Sequence, residues 1–203
     1  MKQPGCVHII SKHRAFKIDR KKISAIASEI CRRLGVAHYE VCLQFVSPQV
    51  MQELNKQYRE KDKSTDVLSF PQYTWKKPLK FQKDPPEPRP IINPLPLGDV
   101  VISAVDAADN VNNSQEKLSR EICFLLVHGI LHLVGHDHMK LAEKKRMFAE
   151  QTKLMRLFSG KKSKPPMWQG CIVPASKSQP LKKNTVKLNT VKSQEQRSTR
   201  GMR

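Results

Sequence analysis

Apolar and polar positions alternate along the chain in two distinct rhythms. Residues 7–10 (VHII) read as a short strand. After Asp19, a residue type suited to cap a helix, Ile23, Ile26, Ile30 and Leu34 return every three or four positions until Gly35 ends the run. That spacing predicts a helix with one buried face. Val41, Leu43 and Phe45 alternate with polar residues, the period of a half-buried strand, and Ser47 followed by Pro48 opens a second helix carrying Val50, Met51, Leu54 and Tyr58. Segments 66–70 and 97–103, rich in Val, Leu and Ile, are further strand candidates. Between them residues 71–96 hold eight prolines, which predicts a surface loop or insertion flanking whatever site the fold builds. Residues 117–134 are apolar on nearly all sides (Leu118, Ile122, Cys123, Leu125, Leu126, Ile130, Leu131), the mark of a central helix enclosed by neighbours. Residues 141–158 read as a last helix, with Met147, Phe148, Leu154, Met155 and Phe158 inward and lysines outward. The predicted fold is therefore α+β, a single domain over residues 1–159 in which a small mixed sheet packs against helices. From residue 160 to 203 the apolar signal fades: there is no aromatic after Trp168, and the motif NTVK repeats at 184–187 and 189–192. A disordered tail is expected there.

Charge narrows the partners. With 37 Lys plus Arg against 18 Asp plus Glu, the chain carries +19 and draws polyanions, nucleic acid first among them. Residues 160–203 contain eleven basic residues and one acidic one, Glu195, or +10, which leaves +9 for the rest; both parts are basic. The longest apolar run, 122–127, is far too short to cross a bilayer, and no charged segment followed by a long apolar stretch stands near Met1. A cytoplasmic protein without a membrane partner is expected. The five cysteines (Cys6, Cys31, Cys42, Cys123, Cys171) form no CxxC pair, and reduced thiols, mostly small buried side chains, are expected.

The chemistry concentrates in residues 128–138, HGILHLVGHDH, which hold four of the chain's seven histidines. His128 and His132, four apart on a helix, project from one face roughly 40° apart and can share a metal ion. Gly135 lets the chain turn back, and His138 follows where a third ligand can cross that face. His136 competes for the same role, and Asp137 is a further ligand or partner of a ligand. Three protein ligands leave a fourth position open, the arrangement of catalytic rather than structural zinc. Zinc peptidases of the metzincin type read HExxHxxGxxH and use the glutamate as base; Gly129 stands at that position, so the ligand frame is metzincin-like while proteolysis by that route is not expected.

A second constellation, YREKDKSTDVLSF at 58–70, packs a helix end, a charged turn and a strand into one short segment. Its Arg59 is the candidate phosphate ligand, since a guanidinium grips two phosphoryl oxygens in a fork and stabilises charge building at phosphorus.

These two segments, with GDVVIS at 98–103 between them, resemble the YbeY family of bacterial rRNA maturation factors over about residues 7–158. The resemblance implies that His128, His132 and His138 bind one zinc ion and that Arg59 and His128 matter for activity. It implies a single-strand-specific metallo-endoribonuclease that matures the 3′ end of 16S rRNA and takes part in ribosome quality control. Single-stranded RNA, rRNA and the small ribosomal subunit are the implied partners, with no small-molecule cofactor. The alternative is a non-catalytic, zinc-containing ribosome-assembly or RNA-binding factor. The chain departs from the family at Ser64, where proline is common, and at His136, where an aromatic residue is common. The first is expected to loosen a turn, the second to offer the metal an extra ring. Neither the proline-rich insert nor the basic tail has a clear family counterpart.

Overall fold

The computed structural model describes residues 7–11, 15–86, 93–160 and 164–175. Three parallel strands, β1 (Val7–Ser11), β3 (Tyr39–Val46) and β5 (Leu95–Ser103), and one antiparallel edge strand, β4 (Val67–Pro71), form a mixed sheet in the order β1-β3-β5-β4. Val41, Leu43, Val100 and Ile102 are fully buried on it. Helix α1 (Arg20–Arg33) starts where predicted: the Asp19 carboxylate accepts the Lys22 amide and caps it. Ile23, Ile26 and Ile30 on its inner face have no solvent exposure. Helix α2 (Pro48–Arg59) is capped by Ser47. Helix α4 (Gln115–Leu133) is enclosed by α1, α5 (Leu141–Phe158) and the sheet, which is why its sequence is apolar all round. The fold class is as expected, α+β with a small mixed sheet and a central histidine-bearing helix.

The structure corrects several details. A seven-residue helix, α3 (Ala104–Asn110), follows β5 directly. Phe148, expected inward, is 40% exposed because a narrower stripe of α5 reaches the core, and on α2 Met51 and Asn55 are buried while Val50 and Tyr58 are exposed, at 41% and 59%. Beyond residue 159 the chain still touches the domain. Residues 164–175 fold back, and β6 (Ile172–Pro174) pairs antiparallel with β2 (Phe16–Ile18) as a second, two-stranded sheet. Cys171 and Ile172 seat in the core with no exposure, enough apolar surface to hold a segment whose composition is otherwise that of a tail. Residues 176–203 lie outside the described residues, as does Cys6. Cys31, Cys123 and Cys171 are buried free thiols, and burial pushes Cys31 up to about 12 and Cys171 up to about 11. Among the described residues no helix is long and apolar enough to cross a membrane.

Candidate metal centre

Helix α4 carries His128 and His132 on its last two turns, and the seat of that stretch explains the glycine between them. A Cβ on Gly129 would lie 2.5 Å from Val100 Cγ1 and 3.2 Å from Ser69 Oγ, so the helix rests directly on β5 and β4. No side chain fits there, least of all the carboxylate a zinc peptidase would need. The helix ends at Leu133, and Gly135 turns the chain at φ +89°, a conformation that favours glycine, with Trp75 Cβ only 3.0 Å from where its own Cβ would be. The turn returns His138 to the helix face. The ring centroids of His128, His132 and His138 stand 4.8, 5.1 and 5.4 Å apart, and one nitrogen from each lies within 4.8 Å of the others.

Hydrogen bonds set the direction of two of these rings. His128 Nδ1 donates to Gln151 Oε1 at 3.2 Å, and His132 Nδ1 donates to the His136 carbonyl at 2.9 Å. Both acceptors are oxygens, so each ring keeps its proton on Nδ1 and presents a lone pair on Nε2. The two Nε2 atoms face each other at 3.2 Å, and neither has a proton to give the other. Two lone pairs aimed at one point repel unless a cation lies between them. A tetrahedral zinc ion, with bonds of about 2.0–2.1 Å, separates nitrogen ligands by roughly 3.3 Å, so the residues fit the ion. Burial, then the neighbouring His128 and His138, holds His132 down to about 4, and burial lowers His128 as well. Both are therefore neutral at physiological pH, the form that ligates metal.

The two competitors named by the sequence do other work. His136 is buried, 5% exposed, and its Nε2 donates to the Leu79 carbonyl at 2.6 Å, so its ring faces the proline-rich segment and only its backbone serves His132. The Asp137 carboxylate accepts the His138 amide at 2.7 Å. Ser64 does not loosen its turn: its hydroxyl donates to Asp106 Oδ2 at 2.7 Å and ties the turn to α3.

Arg59 is the last residue of α2 and lines the same open cleft, about 450 Å³, with Thr65, Asp66, Ser69 and the three histidines. The turn after it is fixed from below by Asn55, 2% exposed, whose side-chain amide donates to the Lys63 carbonyl at 2.7 Å and whose backbone carbonyl accepts the Lys61 amide. Asp66 is anchored in turn by Asn110, at 2.9 Å. The sequence reading missed Gln151 and Asp66. A signal for Gln151 was present: it is a polar residue among the apolar positions Met147, Leu154, Met155 and Phe158 of α5.

Fold and cleft together define a class, an α+β protein with an open three-imidazole ion site beside an arginine. The sequence profile described as Endoribonuclease YbeY matches residues 8–159. Relatives named Endoribonuclease YbeY include those of Staphylococcus saprophyticus (37% identical, covering 59% of this chain and 72% of that one) and Halalkalibacterium halodurans (37% identical, 62% and 76%). A solution structure from Thermotoga maritima covers 74% of this chain and 87% of that one at 24% identity and a TM-score of 0.43. The chain belongs to the Endoribonuclease YbeY family, hydrolases named for cutting RNA.

Proposed function

We propose that the protein is a metal-dependent endoribonuclease that cuts single-stranded RNA, with zinc held by His128, His132 and His138 and with Arg59 binding the phosphate. Its work, on this reading, is 3′-end maturation of 16S rRNA and quality control of the small ribosomal subunit, in the cytoplasm. The observation that carries the proposal is the meeting of three imidazoles and a guanidinium in one open cleft. Bound there, zinc supplies Lewis acidity and lowers the pKa of the attacking water to about 7. The chain's own residues do the rest. Gln151 and the His136 carbonyl hold two ligands in the required tautomer. Arg59 grips two phosphoryl oxygens and offsets the charge that builds at phosphorus. Thr65 and Ser69 line the cleft with hydroxyls. The net charge of +19 draws the polymer in.

Elemental analysis of the purified protein, coupled to cleavage of a single-stranded rRNA 3′ precursor, tests this. His132→Ala is expected to lose both zinc and cleavage, whereas Arg59→Ala keeps its zinc and cuts about 10²–10³-fold more slowly. Cleavage by metal-free His132→Ala overturns the mechanism. An unchanged rate in Arg59→Ala removes that residue's role. RNA binding with full zinc and no turnover would instead favour the non-catalytic assembly factor.

A further inference from the structure

Beside the cleft runs a second groove of about 620 Å³, lined by Lys76, Lys77, Lys80, Arg146, Lys153 and Glu150. The two hollows share one lining residue, His136, so the groove adjoins the proposed active site. Five cations face one carboxylate, and that carboxylate is committed inward. Glu150 is 7% exposed, with one oxygen accepting the Phe81 amide at 2.7 Å and the other the Lys153 ammonium at 2.7 Å. Among the described residues, no ion pair involves Lys76, Lys77, Lys80 or Arg146.

The lysines belong to residues 72–86 of the proline-rich segment, which form no helix or strand but are pinned at several points. Trp75 Nε1 donates to the Leu133 carbonyl at 2.8 Å, the Leu79 amide to Val134 at 3.1 Å, His136 to the Leu79 carbonyl, and the Gln82 amide to Arg33 at 2.7 Å. These bonds, with that of Phe81 to Glu150, fasten the backbone to the ends of α4 and α1 and to the flank of α5 while the lysine side chains stay exposed. On α5, Arg146, Ala149, Glu150 and Lys153 follow at helical spacing and present one face to the same groove. Ammonium groups on flexible stems bind phosphates as point charges, without demanding a base sequence. A row of them beside a phosphodiester-cleaving cleft matches a ligand with repeated phosphates, not a single small anion.

We propose that this groove binds the phosphodiester backbone of the strand flanking the scissile phosphate, and that segment 72–86 is a substrate-binding arm. The identity of the polyanion as RNA rests on the endoribonuclease reading; the groove itself does not. The test is fluorescence-anisotropy titration of the full chain with a labelled single-stranded phosphorothioate RNA 12-mer across a salt series. Lys76→Ala, Lys77→Ala and Lys80→Ala combined should weaken binding at least about tenfold near 0.1 M salt. The slope of log affinity against log salt should flatten by about 2, from about 0.7 for each lost contact. The matching Lys→Arg variant should bind as the parent does. Cleavage of a trinucleotide confined to the cleft should be unchanged in the Ala variant. Parental affinity and slope in that variant overturn the proposal. So does an equal loss when Lys17, Lys21 and Lys117, which line neither hollow, are replaced by Ala instead. A parent that cuts no RNA sinks the endoribonuclease reading alone, because the binding comparison still decides the groove.

Discussion

The C-terminal half of α4 and the proline-rich segment that crosses its end both border the cleft, yet they are held in opposite ways. The helix face is fixed by burial: Val127, Ile130, Leu131 and Leu133 have no solvent exposure, and Gly129 sits against Val100 without room for a methyl group. The segment is fixed by single bonds, from Trp75 and Leu79 to the end of α4, from Phe81 to α5 and from Gln82 to the end of α1, and its Tyr73, Trp75, Leu79 and Phe81 side chains are only partly buried against the core. Burial makes the helix that carries His128 and His132 share one rigid body with the core. Point attachment places charges beside them on a strip that can yield locally. Precise ligand geometry calls for the first kind of support, and sequence-independent contact with a backbone needs only the second.

The largest expected effect comes from unseating the helix. Gly129→Glu restores the residue a metzincin carries, but it drives a Cβ into Val100 and a charge between helix and sheet. We expect a loss of about 3 kcal/mol or more from overpacking and buried charge, a fall of roughly 6–12 °C in Tm, and no peptidase activity. A variant as stable as the parent in urea titration would mean the seat is looser than the distances say, and the contrast between the two regions would shrink accordingly.

A smaller effect separates geometry from stability within the rigid half. Gln151 is 2% exposed; its carbonyl accepts from His128, and its Nε2 is buried without a partner among the described residues. Gln151→Leu removes the acceptor that orients the ligand, and with it the unpartnered amide. Zinc affinity is expected to fall 10–100-fold by competitive chelation, because ligand partners of this kind carry about that much. The metal-free protein should change little in stability, since the near-isosteric apolar side chain removes one unsatisfied donor, Gln151 Nε2, and leaves another, His128 Nδ1. Loss of stability with zinc affinity intact would show Gln151 to be a packing residue only.

How far the sequence spoke follows from the same distinction. Periodicity reads burial, so α1, α4 and α5 were legible almost to their ends, and Asp19 and Ser47 marked helix starts by their capping chemistry. His128 and His132 were legible because a helix fixes their relation. The third position was open between His136 and His138, since a glycine turn at φ +89° has no period; a bond to the Leu79 carbonyl, 57 residues away in sequence, holds the buried His136 ring against the proline-rich segment. Strands β2 and β6 escaped notice because three residues each carry no alternation, and each is defined by the other across more than 150 positions. α3 was hidden by length: seven residues cannot show an amphipathic stripe. The basic groove was invisible as a groove. Its lysines come from a loop, and its arginine from a helix face that reads as ordinary solvated surface.

The smallest expected effect falls on the pinned segment itself. Trp75 is half-buried against the core and the Tyr73 and Tyr39 rings, and its indole N–H satisfies the Leu133 carbonyl, one of the acceptors the end of α4 leaves without a helical partner. Trp75→Phe keeps most of the ring contact and removes that one bond. About 1 kcal/mol is expected, a shift of some 2–4 °C in Tm. Hydrogen exchange should locate the loss: amides of residues 76–82 exchange faster, while those of α4 and zinc affinity stay as in the parent. Faster exchange that spreads through α4 instead would mean the segment braces the metal-binding helix rather than merely lying on it, and the two halves of the cleft would have to be treated as one cooperative unit.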